Sequence, residues 1–183
     1  MIRSKADLYR YLESDRKALN ISRKHPRIFG DEIWKFEIAL RKYEYYHNCN
    51  SLMGWMLVKF WHLRYKMLGL RLGFSIPINV IDEGLCIYHY GSIVISRFAK
   101  IGKWCEIHSG VNIGQNWHEQ DTPTIGDNCF IGPGAKIFGR IKIGNRIVIG
   151  ANAVVNKSFE TDDVTIAGIP ARVVKETGRF SHA

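Results

Sequence analysis

Aliphatic residues recur at intervals of six along the C-terminal part of the chain. The series is Ile95, Ile101, Ile107, Ile113, Ile125, Ile131, Ile137, Ile143, Ile149 and Val155. The one longer interval, from Ile113 to Ile125, is twelve residues and keeps the phase. A glycine follows six of the ten members, and small or apolar residues commonly stand two positions before them. A period of six is therefore the dominant pattern of this half of the chain.

An α-helix cannot use such a repeat, because six residues rotate by about 600° and the apolar stripe would spiral around the helix. A meander of hairpins requires longer and less regular intervals. A triangular coil accommodates the period, since each hexad forms one short side with its aliphatic residue inward and a glycine at the corner. Stacked coils then bury a continuous column of side chains. The pattern predicts a mainly β fold, a parallel β-helix over residues 73–166, followed by a loop and tail over 167–183.

The N-terminal part of the chain, residues 1–72, follows a helical spacing instead. Ser4 and Asp7 resemble a capping box at the start of a first helix, and Asp31 is positioned to cap a second one. The segment 24–27 contains a proline and separates the two. We therefore expect a small α-helical region before the β-helix.

A third helical stretch, residues 52–72, raises the question of membrane contact. It is rich in Leu, Met and Trp, but basic and histidine side chains interrupt it. No uninterrupted run approaches the ~18 apolar residues that suggest a spanning helix. We expect an amphipathic helix that docks against protein. The alternative is a helix that lies on a membrane surface.

Composition narrows the class of protein. The 183 residues are 46 % hydrophobic and 23 % charged, which suits one folded domain with or without a small appendage. The net charge of +9 indicates an anionic partner, and charge alone leaves nucleic acid, an acidic membrane surface and a phosphate-bearing cofactor open. The four cysteines lack C-x-x-C spacing, so we expect free thiols in a reducing cytoplasm. Residues 1–5 lead into no apolar run, and we expect no signal peptide.

Three stretches carry a resemblance to a known family. They are residues 88–95 (YHYGSIVI), residues 131–139 (IGPGAKIFG), and residues 149–157 (IGANAVVNK) with 167–172 (AGIPAR). The six-residue pattern resembles the left-handed β-helix of the hexapeptide-repeat acyltransferases. Within that family, the chain resembles bacterial serine O-acetyltransferases and their relatives among surface-polysaccharide gene products. The resemblance covers most of the chain beyond the first two helices.

The resemblance implies a left-handed β-helix that transfers an acetyl group from acetyl-CoA to a hydroxyl, without an acyl-enzyme and without a metal. It also implies a homotrimer in which CoA lies in the groove between adjacent coils. By the same resemblance, His89 is the general base that takes the proton of the acceptor hydroxyl, with Asp82 or Glu83 as candidates to orient it. Histidine suits this role because imidazole titrates near neutral pH.

Two further histidines are candidates for the catalytic site. His108 stands where other repeats carry the corner glycine, so we expect it to point into solvent or toward a neighbouring subunit. His118 lies in a polar, Trp-bearing stretch, residues 114–124, that replaces a regular side of the coil. Loops that project from a rigid repeat often carry function. For both residues, a surface role and a functional role stay open at this point.

The resemblance places the contacts to CoA near the C-terminal coils. Small side chains there would let the pantetheine arm lie close to the backbone, and polar or basic side chains would meet the phosphates. The candidate residues are Gly132, Gly134, Ala151, Asn156, Lys157, Arg172 and Lys175. The plainer interpretation is that the small residues only satisfy the geometry of the coil and that the basic residues are solvated.

Two departures from the family pattern bear on the acceptor. Serine O-acetyltransferases carry acidic residues at the positions of Phe74 and Tyr88. An ammonium group bound without a carboxylate would be poorly compensated, whereas an aromatic ring suits stacking on a sugar. We therefore expect a sugar hydroxyl of a surface polysaccharide as acceptor, with Tyr88 and Trp117 as substrate-binding residues. Serine, as in cysteine biosynthesis, is the alternative acceptor.

A further hypothesis is a non-catalytic β-helix that serves as a scaffold, as in carbonic-anhydrase-like relatives that have lost their metal. A metal-dependent version requires several histidines at one interface, and the spacing of His89, His108 and His118 supports no ligand set. With CoA as the anionic partner, we expect no nucleic acid. We expect a cytoplasmic protein, and the alternative in which the basic third helix makes a peripheral contact with the inner face of the membrane stays open.

Overall fold

The computed structural model describes residues 1–49 and 54–179, which form α-helices followed by short β-strands. The helices are α1 (Lys5–Ala18), α2 (Glu32–Asn48) and α3 (Gly54–Leu72). The strands are β1 (Phe74–Ser75), β2 (Ile93–Ile95), β3 (Lys100–Ile101), β4 (Glu106–Ile107), β5 (Asn112–Gly114), β6 (Thr124–Ile125), β7 (Phe130–Ile131), β8 (Lys136–Phe138), β9 (Lys142–Ile143), β10 (Val148–Ile149), β11 (Val154–Val155), β12 (Thr165–Gly168) and β13 (Ala171–Lys175). The start that the sequence predicts for the third helix, residues 52–53, lies outside the described residues.

The strands form three sheets that succeed one another around a coil. The first sheet has the order β1-β2-β5-β8-β11, the second β3-β6-β9 and the third β4-β7-β10-β12-β13. Equivalent positions of successive coils pair in parallel, as Ile113 does with Ile137 and Ile131 with Ile149. Because consecutive strands pass from one sheet to the next, the fold is the predicted parallel β-helix after a helical region. The predicted C-terminal loop contains β13, which runs antiparallel to β12.

The six-residue series forms the core of the coil. All ten of its aliphatic side chains are at most 4 % exposed. Burying one such side chain stabilises the fold by about 2 kcal/mol, so the column is a large part of the driving force. Small side chains two positions earlier, among them Cys105, Cys129 and Ala135, are fully buried and fit the close packing beside the column.

The glycines that follow the aliphatic residues have a different role from the predicted one. Gly126 does not adopt a positive φ, but a Cβ at this position would come within 2.7 Å of the carbonyl oxygen of Gly144 on the next coil. Glycine is therefore required by the close approach of stacked coils. The residues that adopt a left-handed φ at the corner stand two positions after these glycines, for example Asn128, Arg146 and Asn152.

The two predicted helix caps differ in outcome. At α1, the Ser4 side chain accepts a hydrogen bond from the amide of Asp7, as the sequence predicts. At α2 the prediction is wrong, because Asp31 adopts a left-handed φ of 58° and makes no capping hydrogen bond. Its carboxylate instead accepts a hydrogen bond from the Arg27 amide at 2.8 Å and pairs with Arg23 at 2.5 Å. Asp31 thus holds the segment between the helices.

A buried arginine fastens the helices to the first coil. Arg41 is fully buried and pairs with Asp15 of α1 at 2.7 Å and with Glu44 of α2 at 3.1 Å. It also donates to the carbonyl oxygens of Ile81 and Asp82 at 2.8 and 2.7 Å. The carboxylates offset the cost of removing the guanidinium from water. Helices α1 and α2 and the first coil therefore meet at a single side chain.

The helices and the coil share one hydrophobic core. Phe36 and Leu40 of α2 and Leu72 of α3 belong to the same buried cluster as the aliphatic column of the coil. Tyr65 and Leu68, on the inner face of α3, pack against this cluster. The predicted docking of the third helix against protein is therefore confirmed for this face.

Two sequence predictions concern properties of the whole chain. The four cysteines are free thiols, as expected from their spacing. Within the described ranges, none of the helices combines the length and the apolar character that crossing a membrane requires.

Candidate active site

His89 lies at a corner of the first coil that is longer than the corner of the next coil. Strand pairing places residues 88–92 opposite residues 108–110. The additional residues project from the coil, and His89 is exposed between Tyr88 and Tyr90, which are 47 % and 75 % exposed. The imidazole is therefore open to a ligand.

Hydrogen bonds tie this corner to the end of α3. The Gly91 amide donates to the Leu72 carbonyl oxygen at 2.9 Å, and the Ile93 amide donates to the Gly73 carbonyl oxygen at 3.1 Å. Gly73 has a φ of +80°, and a Cβ there would lie 3.1 Å from the carbonyl carbon of Gly91. Only glycine combines this conformation with so close a contact. The helical region thus helps to fix the corner that carries His89.

A cavity of about 610 Å³ opens between this corner and the helical region, and His89 itself is not among its lining residues. Tyr88 and Tyr90 form part of its wall, and the remaining lining residues come from the segment between α1 and α2, the start of α2, the end of α3 and the first coil. Arg71 and Glu32 bring opposite charges to this wall. Its volume lies in the range of small-molecule binding sites.

His108 lies on the next coil and is held by its neighbours. Its Nε2 is 2.8 Å from Oε1 of Glu106, whose other carboxylate oxygen accepts a hydrogen bond from Arg179 at 2.7 Å. The rings of Phe130 and Tyr88 lie 4.8 and 6.4 Å from the His108 ring, measured between centroids. The His108 side chain is 19 % exposed, so its neighbours largely cover it, and the predicted contact with a neighbouring subunit stays a prediction.

Glu106 and Arg179 are candidate functional residues that were not predicted from the sequence. Glu106 and His108 are two positions apart at β4, and the alternation of side chains along a strand puts both on the same face. That spacing is the sequence signal for the pair. Arg179 lies 73 residues further along the chain, and no local pattern connects it with Glu106.

The acidic residues considered for orienting His89 have other partners. Asp82 accepts hydrogen bonds from the hydroxyl of Tyr11 and from the amide of Glu83. Glu83 pairs with Arg10 at 2.7 Å and with Lys103 at 3.1 Å. Tyr11 and Arg10 belong to α1 and Lys103 to the coil, so these carboxylates attach the helix to the coil and are engaged by groups other than His89.

Two groups near the histidines stay protonated at neutral pH. Burial raises the pKa of the Cys86 thiol to about 12, and the negative charge of Glu37 adds to this shift. The hydrogen bond with Cys86 raises the pKa of the Tyr88 hydroxyl to about 12. Neither a thiolate nor a phenolate is therefore present near pH 7, and neither group is an activated nucleophile.

Two edges of the coil carry the other candidate residues. At one edge, the chain leaves the third sheet and enters the first. This edge, here called the His89 edge, consists of residues 88–92, 108–110, 132–134 and 150–152. At the other edge, the chain leaves the first sheet and enters the second. This edge, here called the loop edge, consists of residues 115–123, 139–141 and 156–158. The strands of the first sheet separate these two edges within one chain.

His118 belongs to the long loop of the loop edge. The amide of Asp121 donates to the His118 carbonyl oxygen at 3.0 Å, which closes a turn at the loop tip, and Trp117 is 88 % exposed. A cavity of about 330 Å³ lies between this loop and Arg140 on the next coil. Within one chain, His118 and His89 therefore lie on different edges.

The residues predicted to contact CoA divide between the two edges. The His89 edge carries Gly132, Gly134 and Ala151, and β13 places Arg172 opposite Ala167 near this edge but Lys175 opposite Thr165, at the far end of the third sheet's strands. The loop edge carries Asn156 and Lys157. The polar and basic members are all exposed. A Cβ on Gly132 would come within 2.7 Å of the Ile149 carbonyl oxygen, so coil stacking alone already requires that glycine.

The three histidines do not converge within one chain, because His118 lies on a different edge from His89 and His108. In the part of the chain that the structure describes, no group of three or more His, Cys, Asp or Glu side chains could hold a metal ion.

Sequence comparison identifies relatives of the β-helix. The family described as bacterial transferase hexapeptide (six repeats) matches residues 122–157. A serine acetyltransferase from Synechococcus elongatus is 36 % identical over 100 residues, which are 54 % of this chain and 41 % of that protein. A serine acetyltransferase from Staphylococcus epidermidis is 41 % identical over 105 residues, which are 56 % of this chain and 49 % of that protein. The chain thus matches less than half the length of these two relatives.

Solved structures of serine acetyltransferases share the fold. A serine O-acetyltransferase from Brucella melitensis superposes with a TM-score of 0.71 and 26 % identity, covering 94 % of this chain and 71 % of that one. A serine acetyltransferase from Brucella abortus in complex with coenzyme A has a TM-score of 0.67 and 25 % identity, covering 96 % and 71 %. Residues 122–157 thus match the hexapeptide repeats of bacterial transferases, and the chain is similar to serine acetyltransferases in sequence over about half of its length and in fold over nearly all of it.

Proposed function

We propose that the chain is an acetyl-CoA-dependent O-acetyltransferase with His89 as its general base. The observation that carries this proposal is an exposed histidine on an edge of small side chains, in a fold shared with a serine acetyltransferase in complex with coenzyme A. A base open to solvent and a neighbouring backbone without bulky side chains are what transfer between two bound substrates requires.

In the proposed reaction, the acceptor hydroxyl oxygen attacks the thioester carbonyl carbon of acetyl-CoA while His89 takes the hydroxyl proton. The tetrahedral intermediate collapses, the C–S bond breaks, and the proton passes from His89 to the sulfur of CoA. Direct transfer is what the family resemblance implies, and the protonated Cys86 and Tyr88, which are poor acyl acceptors, support it. A positioned base of this kind contributes about 10²–10⁴-fold to the rate.

Acetyl-CoA binds, in this proposal, between the coils of adjacent subunits of a homotrimer. One chain supplies the small residues of its His89 edge with Arg172 and Lys175, and its neighbour supplies Asn156 and Lys157 from its loop edge. The division of these residues between two edges supports the arrangement, because a groove between two chains lets both sets reach one ligand. The same groove would bring His118 and Trp117 of one chain toward His89 of the next.

Serine is the first candidate for the acceptor. The names of the similar proteins favour it, which reverses the order expected from the sequence. The cavity between the helical region and the corner that carries His89 supports it as well, because Arg71 can pair with a carboxylate and Glu32 with an ammonium group. These charges come from the helical region and replace the acidic residues that the family carries at positions 74 and 88.

A sugar hydroxyl is the second candidate for the acceptor. The exposed rings of Tyr88 and Tyr90 on both sides of His89 favour it, since flat aromatic surfaces suit the apolar face of a sugar ring. An acceptor from surface-polysaccharide synthesis would then be acetylated in the cytoplasm, where acetyl-CoA is available and where the free thiols of this chain stay reduced.

The acceptor is tested by following release of the CoA thiol with acetyl-CoA and either L-serine or a panel of hexoses and amino sugars. We expect the highest kcat/KM with serine and an O-acetylserine product by mass spectrometry. Glu32→Gln should then raise the KM for serine at least tenfold, while Glu13→Gln, an exposed change on α1, leaves it unaltered. Turnover with a sugar alone, insensitive to Glu32→Gln, would establish the second candidate.

The scaffold hypothesis has its own outcome in the same assay. A chain that binds no CoA in a calorimetric titration and turns over no acceptor is a non-catalytic β-helix. Binding of CoA without turnover would instead keep the donor site and show that the acceptor panel lacks the natural acceptor.

A further inference from the structure

Helix α3 is apolar on two opposite sides. Its inner face packs on the protein core through residues such as Tyr65 and Leu68. Its other side carries a row of exposed apolar side chains, here called the outer stripe: Met56, Phe60, Leu63, Met67 and Leu70. These side chains are 53–83 % exposed. A contiguous exposed apolar row of this kind marks an interaction surface.

The outer stripe has the spacing of a single helix face. Its members follow one another at intervals of four, three, four and three residues. With about 3.6 residues per turn and a rise of about 1.5 Å per residue, they line one side of the helix over about 21 Å. Trp55 and Leu57, 58 % and 41 % exposed, extend the apolar surface at the beginning of the helix. The stripe is therefore a continuous surface and not a set of scattered residues.

Basic side chains border the outer stripe on both sides. The helical rotation puts Lys59 and Lys66 on one side and Arg64 and Arg71 on the other, and all four are exposed. The sequence of α3 contains no aspartate or glutamate. No acidic side chain of the helix therefore neutralises the two basic rows.

A second copy of this chain is a poor occupant for such a surface. If two outer stripes packed against each other, the residues flanking the apolar seam would face their counterparts, in a parallel or an antiparallel pair alike. Here those residues are Lys59, Lys66, Arg64 and Arg71, so cation would face cation in both orientations. Like charges at these positions oppose pairing.

We propose that α3 lies in the plane of an anionic membrane surface, with the outer stripe in the acyl-chain boundary and the basic rows among the headgroups. Interfacial helices combine an apolar face that includes Trp, Phe and Leu with Lys and Arg beside it, and Trp55, Phe60 and Leu63 supply the apolar part here. The anionic headgroups take the place of the missing acidic side chains. This inference does not depend on the proposed acetyltransferase activity.

Co-sedimentation of the full chain with vesicles tests the inference without any substrate. We expect binding to vesicles of mixed phosphatidylglycerol and phosphatidylcholine, weak binding to pure phosphatidylcholine, and loss of binding at 0.5 M salt, about three times physiological ionic strength. Lys59→Gln with Lys66→Gln should weaken binding to the anionic vesicles about thirtyfold. Leu63→Gln with Met67→Gln should weaken it as well, at unchanged charge.

Matched controls make each variant specific. Lys100→Gln with Lys142→Gln removes the same charge from the exposed face of the second sheet and should leave vesicle binding nearly unchanged. Val173→Gln with Val174→Gln removes exposed apolar side chains from β13 and should also leave it unchanged. Thermal unfolding and light scattering confirm that each variant keeps the fold and the oligomeric mass.

Three outcomes would overturn the inference. The first is that the unaltered chain does not sediment with anionic vesicles. The second is that the second-sheet lysine control weakens binding as much as the α3 lysine variant, which would mean that net charge alone acts. The third is that Leu63→Gln with Met67→Gln lowers the oligomeric mass and leaves vesicle binding intact, which would make the outer stripe an interface between copies.

Discussion

The carboxylate of Glu106 lies 2.8 Å from Nε2 of His108, and its other oxygen accepts a hydrogen bond from Arg179. These contacts orient the His108 ring and occupy one of its nitrogens. His89, one coil away on the same edge, is exposed and can turn toward a ligand. A general base must reach the proton of a bound acceptor, and this exposure is why we propose His89 for the role.

Replacing the two histidines separately should give different kinetic results. We expect His89→Ala to lower kcat about 10²–10⁴-fold and to leave the Kd for CoA nearly unchanged, because only the proton acceptor is lost. His108→Asn, which can keep a hydrogen bond to Glu106, should lower kcat by less than about tenfold. Thiol release and calorimetry measure the two quantities. A larger loss with His108→Asn would move the base to His108.

Co-assembly of two variants in the proposed homotrimer tests whether one active site uses two chains. We expect His89→Ala and a variant whose loop 115–123 is replaced by a short glycine linker to be inactive when each is assembled alone. Random co-assembly of equal amounts should restore activity to about a quarter of the sites, since each site takes one edge from each of two neighbours. Recovered turnover after joint refolding measures this fraction. No recovery would assign each site to a single chain.

Removal of the buried arginine should cost far more stability than removal of an exposed one. Arg41→Ala leaves Asp15 and Glu44 as buried charges without their cation, and we expect it to lower the free energy of unfolding by about 3–5 kcal/mol. Arg10→Ala removes exposed pairs with Asp7 and Glu83 and should cost much less, because water screens charges at the surface. Urea unfolding followed by circular dichroism compares the two. Equal losses would mean that Arg41 does not fasten the helices to the coil.

The buried carboxyl of Glu37 predicts a pH dependence of stability. Burial, and secondly the negative charge of Asp15, raise its pKa well above the usual value of 4.5. Between pH 4.5 and the raised pKa, the Glu37 carboxyl is ionised in the unfolded chain but protonated in the folded chain. Unfolding therefore releases a proton, and the free energy of unfolding falls as the pH rises. Glu37→Gln abolishes this contribution, and its stability relative to the unaltered chain should increase from pH 5 to pH 8. Glu13→Gln, on an exposed side chain, should show no such trend in the same urea titrations.

Two glycines with similar backbone conformations should respond differently to alanine. Gly73 has a φ of +80° and close contact with Gly91, whereas Gly30 has a φ of +92° and no neighbour within 4 Å. Gly30→Ala should cost about 1 kcal/mol through its backbone alone. Gly73→Ala should cost about 1–3 kcal/mol more, because the added methyl group forces the backbone at Gly91 to shift. Since this shift moves the corner that carries His89, the variant should also have a higher KM for the acceptor. Equal costs would show that the corner is free to move away from α3.

The six-residue period alone predicted the parallel β-helix and its buried column. This is possible because each side of each coil repeats the same environment, so a local pattern reports the whole stack. The start of α1 at Ser4 and the free thiols could also be predicted, since capping and cysteine spacing are local properties. The role of the corner glycines could not, because the contact of Gly126 with Gly144 exists only once two coils are stacked.

Only the tertiary structure decided which charged groups meet and which apolar face of α3 stays exposed. Arg179 reaches Glu106 across 73 residues, and Arg41 reaches the backbone of the first coil, because folding brings distant segments to one place. In the sequence, the outer stripe of α3 and its packed inner face look alike, since hydropathy does not record what covers a side chain. The same holds for the division of the candidate site between two edges, which follows from the order of the strands around the coil and not from the spacing of the residues.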